Sequence, residues 1–445
     1  MLLDIFTTTG DQKDLLSHRR GRLSANFSAN AHPTLHVDMA RAYQTMDGFG
    51  FSLTGGSAML IAGLDPATRH KLLRELFSQD TDAIGVSYLR LTIGASDLST
   101  QSYSYDEMAA GQTDFPLDHF DIMAGDPHVI PVLKEILAIN PALTIMGSPW
   151  SAPRWMKDNN SFITGSLKDE CRDVYARYFV RYIEEMQSHG ISIHAITLQN
   201  EPHNHLNEPS MIMRADSQAE LIRDHIGPAL LKAGLKTKIF CWDHNCDEPD
   251  YPLAILGDPA VSQYVEGVAF HLYGGRPEAL SQVLAVHPDK KMYLTEQWVG
   301  SNSSFGDDLV WHARNVMIGI IRNGGNAVLE WNLAADANLG PHTPGGSAHC
   351  VGALTIDGQD ISRNVSYYLI GHAAKLIPPG SVRISSDEND ILRNAAFLTP
   401  DGRIAMIVLN DSEQDRRFNI QHHGKRATLD LKAGALSTCT WQALP

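Results

Sequence analysis

The chain has 445 residues, 43% hydrophobic and 20% charged, with a formal net charge of −15. That length holds one barrel-sized domain with a small accessory one better than three equal domains. The acidic balance weighs against nucleic acid or an anionic membrane as the main partner and suits a neutral substrate such as a sugar.

The start, MLLDIFTTTGDQKDLL, meets charge at Asp4 too early for a secretory signal, so the chain reads as cytoplasmic or as secreted with its signal removed. No apolar run approaches the roughly 18–20 residues of a membrane span, so no stable membrane insertion is expected. Residues 1 to about 40 hold short Thr- and Ser-rich strand candidates. From Tyr43 the pattern becomes strands alternating with helices. YQTMDGFGFSL, VSYLRLTI, LTIMGS, ISIHAITL, KIFCW, GVAFHLY, KMYLTEQW and AVLEWNL read as eight strands. Between them, 67–77, the stretch opened by Asp126 as N-cap and Pro127 at N1, 174–186, 216–233 and 311–323 have helical spacing, with Gly190 and Gly234 past two of their ends. After His372 five short strands separated by polar turns suggest an antiparallel sandwich, which the N-terminal strands join because an isolated hairpin is unstable. The expected fold class is α/β: a (β/α)8 TIM barrel over 41–372, with a small β-sandwich built from residues 1–40 and 373–445.

Functional groups of such a barrel sit at the carboxyl ends of its strands. The fourth strand runs into Gln199-Asn200-Glu201-Pro202, and the seventh ends on Glu296. Those ends also carry Asp97, Trp150, His271, Tyr273 and Trp331. Two carboxylates, an amide, a tyrosine and two indoles compose a sugar site: indoles cover apolar ring faces, polar groups hold hydroxyls, and carboxylates break the bond. Singly, each has a plainer reading. Asp97 suits a helix N-cap, the indoles suit the core, and His271 reads as a satisfied core histidine. Glu330 alternates away from Trp331 and is expected to face the helices in a salt bridge. Cys241 and Cys246 flank WDHN, but no second Cys/His pair at zinc-ligand spacing accompanies them, so they read as ordinary reduced cysteines.

On these segments the chain resembles glycoside hydrolase family 30, the family of acid β-glucosidases acting on glucosylceramide and of endo-β-1,6-glucanases. The matching stretches are DGFGFSLTGGSA, YLRLTIGASDLS, SPWSAPRWMKDN, LQNEPHN, AFHLYGG, YLTEQWVG, EWNLA and NVSYYLIGHAAKLIPPGSVRI, in the family's order and across nearly the whole chain. The resemblance implies a barrel packed on a β-sandwich from both chain ends. It places the acid/base on Glu201 and the nucleophile on Glu296. Asn200 is similar to the amide that holds the sugar 2-hydroxyl. Asp97, Trp150 and Trp331 are similar to groups binding the sugar that is cleaved, Tyr273 to the partner of the nucleophile, and Arg90 to a buried arginine beneath the site; His271 joins it as support. The implied activity is retaining hydrolysis of β-D-glucosidic bonds by double displacement, with no metal or organic cofactor. The substrate is a β-glucoside or β-glucan; oligomeric state stays open. A glucosylceramidase-like β-glucosidase is the first expectation and an endo-β-1,6-glucanase the second; an inactive carbohydrate-binding relative is the alternative of another class. The chain departs from the glucosylceramidase branch at Gly55-Gly56, where that branch has an Asp after GFGxxxT, at Gln297-Trp298 and at GPHTPGG (340–346).

Overall fold

The computed structural model describes residues 1–443. Eight parallel strands close on themselves. They are β1 (Gly48–Leu53), β2 (Tyr88–Thr92), β3 (Thr144–Ser148), β4 (Ala195–Thr197), β5 (Lys238–Cys246), β6 (Val265–Gly275), β7 (Lys291–Glu296) and β8 (Gly325–Asn332). Each pairs with the next, and β8 pairs back with β1. Parallel neighbours need a crossover longer than a hairpin, and helices along the outside supply it. With helices on one face and barrel interior on the other, β1, β2 and β8 are buried along their whole length.

The interior is layered by the two-residue period of a strand. Tyr88, Met146, Ala195, Phe240, Ala269, Tyr293, Ala327 and Leu329 form an apolar plug, with Tyr293 stacked on Phe240 at 4.1 Å. Two residues further along five of these strands stand Arg90, Ser148, Thr197, His271 and Thr295. Side chains alternate faces, so these polar groups form the next layer above the plug, toward the carboxyl ends.

Outside the barrel lies a nine-stranded sheet that uses both chain ends. Its order is Ser17–Arg22, Leu2–Thr8, Leu436–Gln442, Arg403–Asn410, Leu392–Leu398, Val382–Ser386, Thr34–Thr45, Arg416–His422 and Lys425–Leu431. Leu2–Thr8 pairs antiparallel with Leu436–Gln442, as expected for N-terminal strands completing the sandwich. The long strand Thr34–Thr45 stays in this sheet as far as Thr45, opposite Val382. Arg403–Asn410 is apolar on both sides. Ile404, Met406 and Val408 enter the sandwich core, whereas Ala405, Ile407 and Leu409 join the core of the barrel.

Two local expectations differ in detail. Asp126 is not the N-cap: the helix begins at Val129 with His128 as its cap residue and Pro127 before it, while Asp126 Oδ1 accepts from the His128 and Val129 amides in the turn that leads in. The helices expected over 216–233 and 311–323 each contain a wide π-helical turn, Leu221–Ile226 and His312–Gly319, and the second begins earlier, at Phe305. All five cysteines are unbridged and buried. Among the described residues no helix is long and apolar enough to cross a membrane.

Candidate active site

The polar layer above the plug is one hydrogen-bonded network centred on Arg90, whose guanidinium is fully buried. Its Nη1 donates to Glu296 Oε2 at 2.7 Å, and Nη2 donates to Asn200 Oδ1 at 2.7 Å and Asp243 Oδ2 at 2.8 Å. Nε reaches Ser148 Oγ at 3.2 Å. One planar fork thereby fixes groups from β3, β5, β7 and the end of β4, a task suited to arginine's rigid donor geometry. Asp243 is also completed by Thr197 and Thr295, whose hydroxyls donate at 2.6 and 2.7 Å. Burial alone would favour its neutral form, but Arg90 and the other donors hold its carboxyl far below the usual range.

Asp243 was not among the expected site residues. KIFCW reads as ending at Trp242, yet β5 continues to Cys246 with shifts in its pairing, and Trp242 and Asp243 have φ of 73° and 71°. This irregularity turns Asp243 inward, one residue later than the simple period from Phe240. The carboxylate in CWDHNC at a strand end was the available signal.

Glu201 follows the short β4. Its backbone has φ 47°, its amide donates to the Asp243 carbonyl at 3.0 Å, and the Asn200 amide donates to the Pro149 carbonyl at 2.7 Å. A left-handed non-glycine residue costs about 1–3 kcal/mol and persists only where its surroundings enforce it. Here the bend lets Asn200 reach Arg90 while Glu201 faces the mouth. Glu201 Oε2 accepts from Asn204 at 2.7 Å, and Oε1 lies 3.2 Å from His271 Nδ1 and 3.9 Å from His244 Nε2.

Across the mouth, Glu296 Oε1 accepts from the Tyr273 hydroxyl at 2.9 Å, and Arg90 holds Oε2. His271 is buried between the acids, its Nε2 3.2 Å from Asp243 Oδ1 and its Nδ1 3.8 Å from Glu296 Oε1. One oxygen of each glutamate and one nitrogen of His271 all lie within 4.8 Å of one another.

These charges set one another. Burial would lower the pKa of His271, but Glu296, Asp243 and Glu201 raise it to about 9. Burial would raise Glu201, but its bond to His271 and the nearby imidazoles bring it to about 2. Glu296 itself is raised by burial and by Glu201, against the downward pull of His271 and Arg90. Both its oxygens nevertheless accept hydrogen bonds, which is the arrangement an ionised carboxylate needs.

Trp150 and Trp331 stack with centroids 5.3 Å apart, and Arg90 lies 4.8 Å over Trp150. Trp331 lines the cavity, whereas Trp150 packs with it and Leu98 in a small apolar cluster. Asp97 caps no helix. It lines the cavity, accepts from the Ser347 amide, and is pushed up to about 7 by burial and the Glu296 charge. The segment 340–346 straps this loop in place: the Thr343 amide donates to the Asp97 carbonyl, and a Cβ on Gly346 would stand 2.3 Å from that oxygen. Glu330 faces the helices as expected, 2.8 Å from His312 Nδ1.

The cavity has a volume of about 740 Å³ and is lined by Asp97, Glu201, Tyr273, Glu296 and Trp331, with His203, His244 and others that were not among the expected site residues. Trp298, one of the departures from the glucosylceramidase branch, lines it too. A larger cavity, about 820 Å³, lies at the opposite end of the barrel, but its acids are neutralised: Asp47 pairs with Lys291 and Glu266 with Lys238.

Comparison with known proteins accords with this geometry. Residues 46–377 match the Glycosyl hydrolase family 30 TIM-barrel domain, and residues 380–439 match that family's beta sandwich domain. An endo-1,6-beta-D-glucanase of Neurospora crassa is 34% identical over 82% of this chain and 79% of its own length. The lysosomal acid glucosylceramidase of Mus musculus is 28% identical over 90% of this chain and 82% of its own. A solved endo-beta1,6-glucanase superposes with a TM-score of 0.92 at 33% identity, over 99% of both chains. The chain belongs to glycosyl hydrolase family 30 and is a glycosidase.

Proposed function

We propose that the protein is a retaining endo-β-1,6-glucanase, with Glu296 as nucleophile and Glu201 as acid/base. The observation that carries the retaining mechanism is the approach of one oxygen of each carboxylate to within 4.8 Å of the other. Retaining glycosidases hold their carboxyl groups about 5–5.5 Å apart, whereas inverting ones leave roughly 6.5–9.5 Å for a water. For the linkage, three relatives at 32–34% identity are endo-1,6-β-D-glucanases, and glucosylceramidases stand at 25–29%. This reverses the order expected from sequence, where the glucosylceramidase type came first. Local packing favours the same order. A Cβ on Gly55 would stand 2.5 Å from Asp126 Oδ2, and one on Gly56 would stand 2.6 Å from the Leu98 carbonyl, so the space for a side chain there is already filled.

In the first step Glu296 attacks the anomeric carbon, held by Arg90 and Tyr273 with an oxygen facing the sugar. Glu201 protonates the leaving oxygen. Asp243 is ionised, so His271 Nε2–H donates to it and Nδ1 faces Glu201. One proton is then shared between His271 and Glu201. It passes through Glu201 to the leaving group, and the pair regains it from the water that hydrolyses the glycosyl-enzyme. Asn200 has its oxygen on Arg90, which leaves its NH₂ to donate to the sugar 2-hydroxyl. Asp97 binds another hydroxyl, and Trp331, backed by Trp150, covers the ring.

Trp331→Phe tests that cover. Expected is a fall of roughly tenfold or more in kcat/KM with a melting temperature only a few degrees lower, because the aromatic filling is largely kept. A large loss of stability with unchanged kinetics in the folded fraction would make Trp331 a core residue alone.

The function itself is tested by incubating the enzyme separately with polymeric β-1,6-glucan, glucosylceramide in detergent micelles and an aryl β-glucoside. Fast cleavage of the glucan to mixed oligosaccharides is expected, with glucosylceramide far slower. Rapid release of glucose from glucosylceramide with the glucan untouched would return the reading to a β-glucosidase.

A further inference from the structure

The wall of the cleavage cavity continues outward past Trp298 to Trp311. Trp311 is 38% exposed, a large apolar surface for a residue with no part in the core. Its indole also lines a second cavity of about 820 Å³, between the helix Phe305–Trp311 and the sandwich turns at Asp411–Glu413 and Ala433–Gly434. The two spaces are therefore neighbours across one aromatic side chain.

The helix that presents Trp311 is fixed on both sides. His312, the next residue, is buried and bonded to Glu330 of β8 at 2.8 Å. Arg314 Nε donates to Asp411 Oδ2 at 2.6 Å, which ties the same segment to the sandwich. Arg393 reaches that oxygen too, at 2.6 Å. At the other edge, a Cβ on Gly10 would lie 3.0 Å from the Gly306 Cα, so two glycines let the N-terminal loop close against the start of the helix. A platform held this way loses little freedom when it takes a ligand.

We propose that this groove is a second glucan-holding site, with Trp311 as its platform. Glucan chain that extends beyond the cleavage cavity passes over the indole and lies between barrel and sandwich. The indole face matches the C–H face of a glucosyl ring. Ser303, Asp307, Ser412 and Glu413 line the groove and offer oxygens to sugar hydroxyls, and a neutral polymer meets no repulsion there. The occupant follows from continuity: what enters past Trp311 is the chain whose other part lies at the carboxylates. The inference rests on the β-glucan reading above.

Two variants of the full chain test it, Trp311→Ala to remove the platform and Ala433→Trp to fill the groove from an exposed position. The ratio of kcat/KM on polymeric β-1,6-glucan to kcat/KM on an aryl β-glucoside is expected to fall roughly tenfold in each. An unchanged ratio in both, or an equal loss on both substrates, would overturn the proposal. Affinity electrophoresis in gels containing β-1,6-glucan separates this from the reading of function, because it needs no cleavage. In a Glu296→Ala background, retardation is expected and should weaken with Trp311→Ala; equal retardation with and without Trp311, or none, would overturn the groove. Wild type that fails to cleave the glucan, alongside retardation that depends on Trp311, would instead sink the hydrolytic reading and leave the groove standing.

Discussion

Glu296→Ala is expected to be almost inert on every β-glucoside, with kcat lower on the order of 10⁵-fold, because the variant lacks the proposed nucleophile. Added azide fits the space of the lost carboxylate and should restore turnover, giving the α-glycosyl azide. Glu201→Ala should differ in kind. A dinitrophenyl leaving group needs little protonation, so this variant should still form the glycosyl-enzyme from a dinitrophenyl β-glucoside. Water attack without a base is slow, so a burst of dinitrophenol should precede a slow steady state, and azide should now give the β product. Proton NMR of the first sugar released by wild type decides the stereochemistry. The β-anomer appearing first is expected. An α-anomer first would mean inversion, and the nucleophile role of Glu296 would have to be abandoned.

Arg90→Met should damage folding and chemistry together. The buried guanidinium is the cation for two buried carboxylates, at 2.8 Å from Asp243 and 2.7 Å from Glu296. Removing one partner of such a group leaves uncompensated buried charge and costs roughly 3–5 kcal/mol. Urea unfolding should show that loss, and kcat/KM should fall in the fraction that stays folded because Glu296 and Asn200 lose their common anchor. Arg90→Met/Asp243→Asn separates the two effects: deleting the orphaned charge should recover part of the stability and none of the activity. Full recovery of activity in the double variant would show that Arg90 serves folding alone. Arg90→Lys should fall between, since one ammonium cannot form the fork that spans Glu296, Asn200 and Asp243.

Much of this architecture is legible in the chain because strand periodicity does double service. The steps from Tyr88 to Arg90, Ala269 to His271 and Tyr293 to Thr295 lead from plug to polar layer, and the segments that end on Glu201 and Glu296 identify the mouth. The period fails where backbone geometry is irregular. Asp243 lies at a bulge with positive φ, so counting by two from Phe240 gives Trp242 and hides the acid. His271 looked like a core histidine because one residue does not reveal that its partners come from β5 and from the loop after β4. Proton placement was also hidden: the state of Glu201 depends on an imidazole and an aspartate that meet it only in three dimensions. Trp311 marked only a helix start, since its value as a surface depends on sandwich turns about a hundred residues later in the chain.

The pairing of Leu2–Thr8 with Leu436–Gln442 has a consequence for biosynthesis. Thr7 and Ser437 share a hydrogen bond at 2.7 Å across 430 positions of sequence. At translation rates of about 5–20 residues per second, the first of these strands waits some tens of seconds for its neighbour. During that interval Leu3 and Ile5 have none of the C-terminal strands that later enclose them. The sandwich is thus sealed after the barrel segments have been made, and a chain cut short before Val382 would carry a nearly complete barrel and an open, adhesive hairpin.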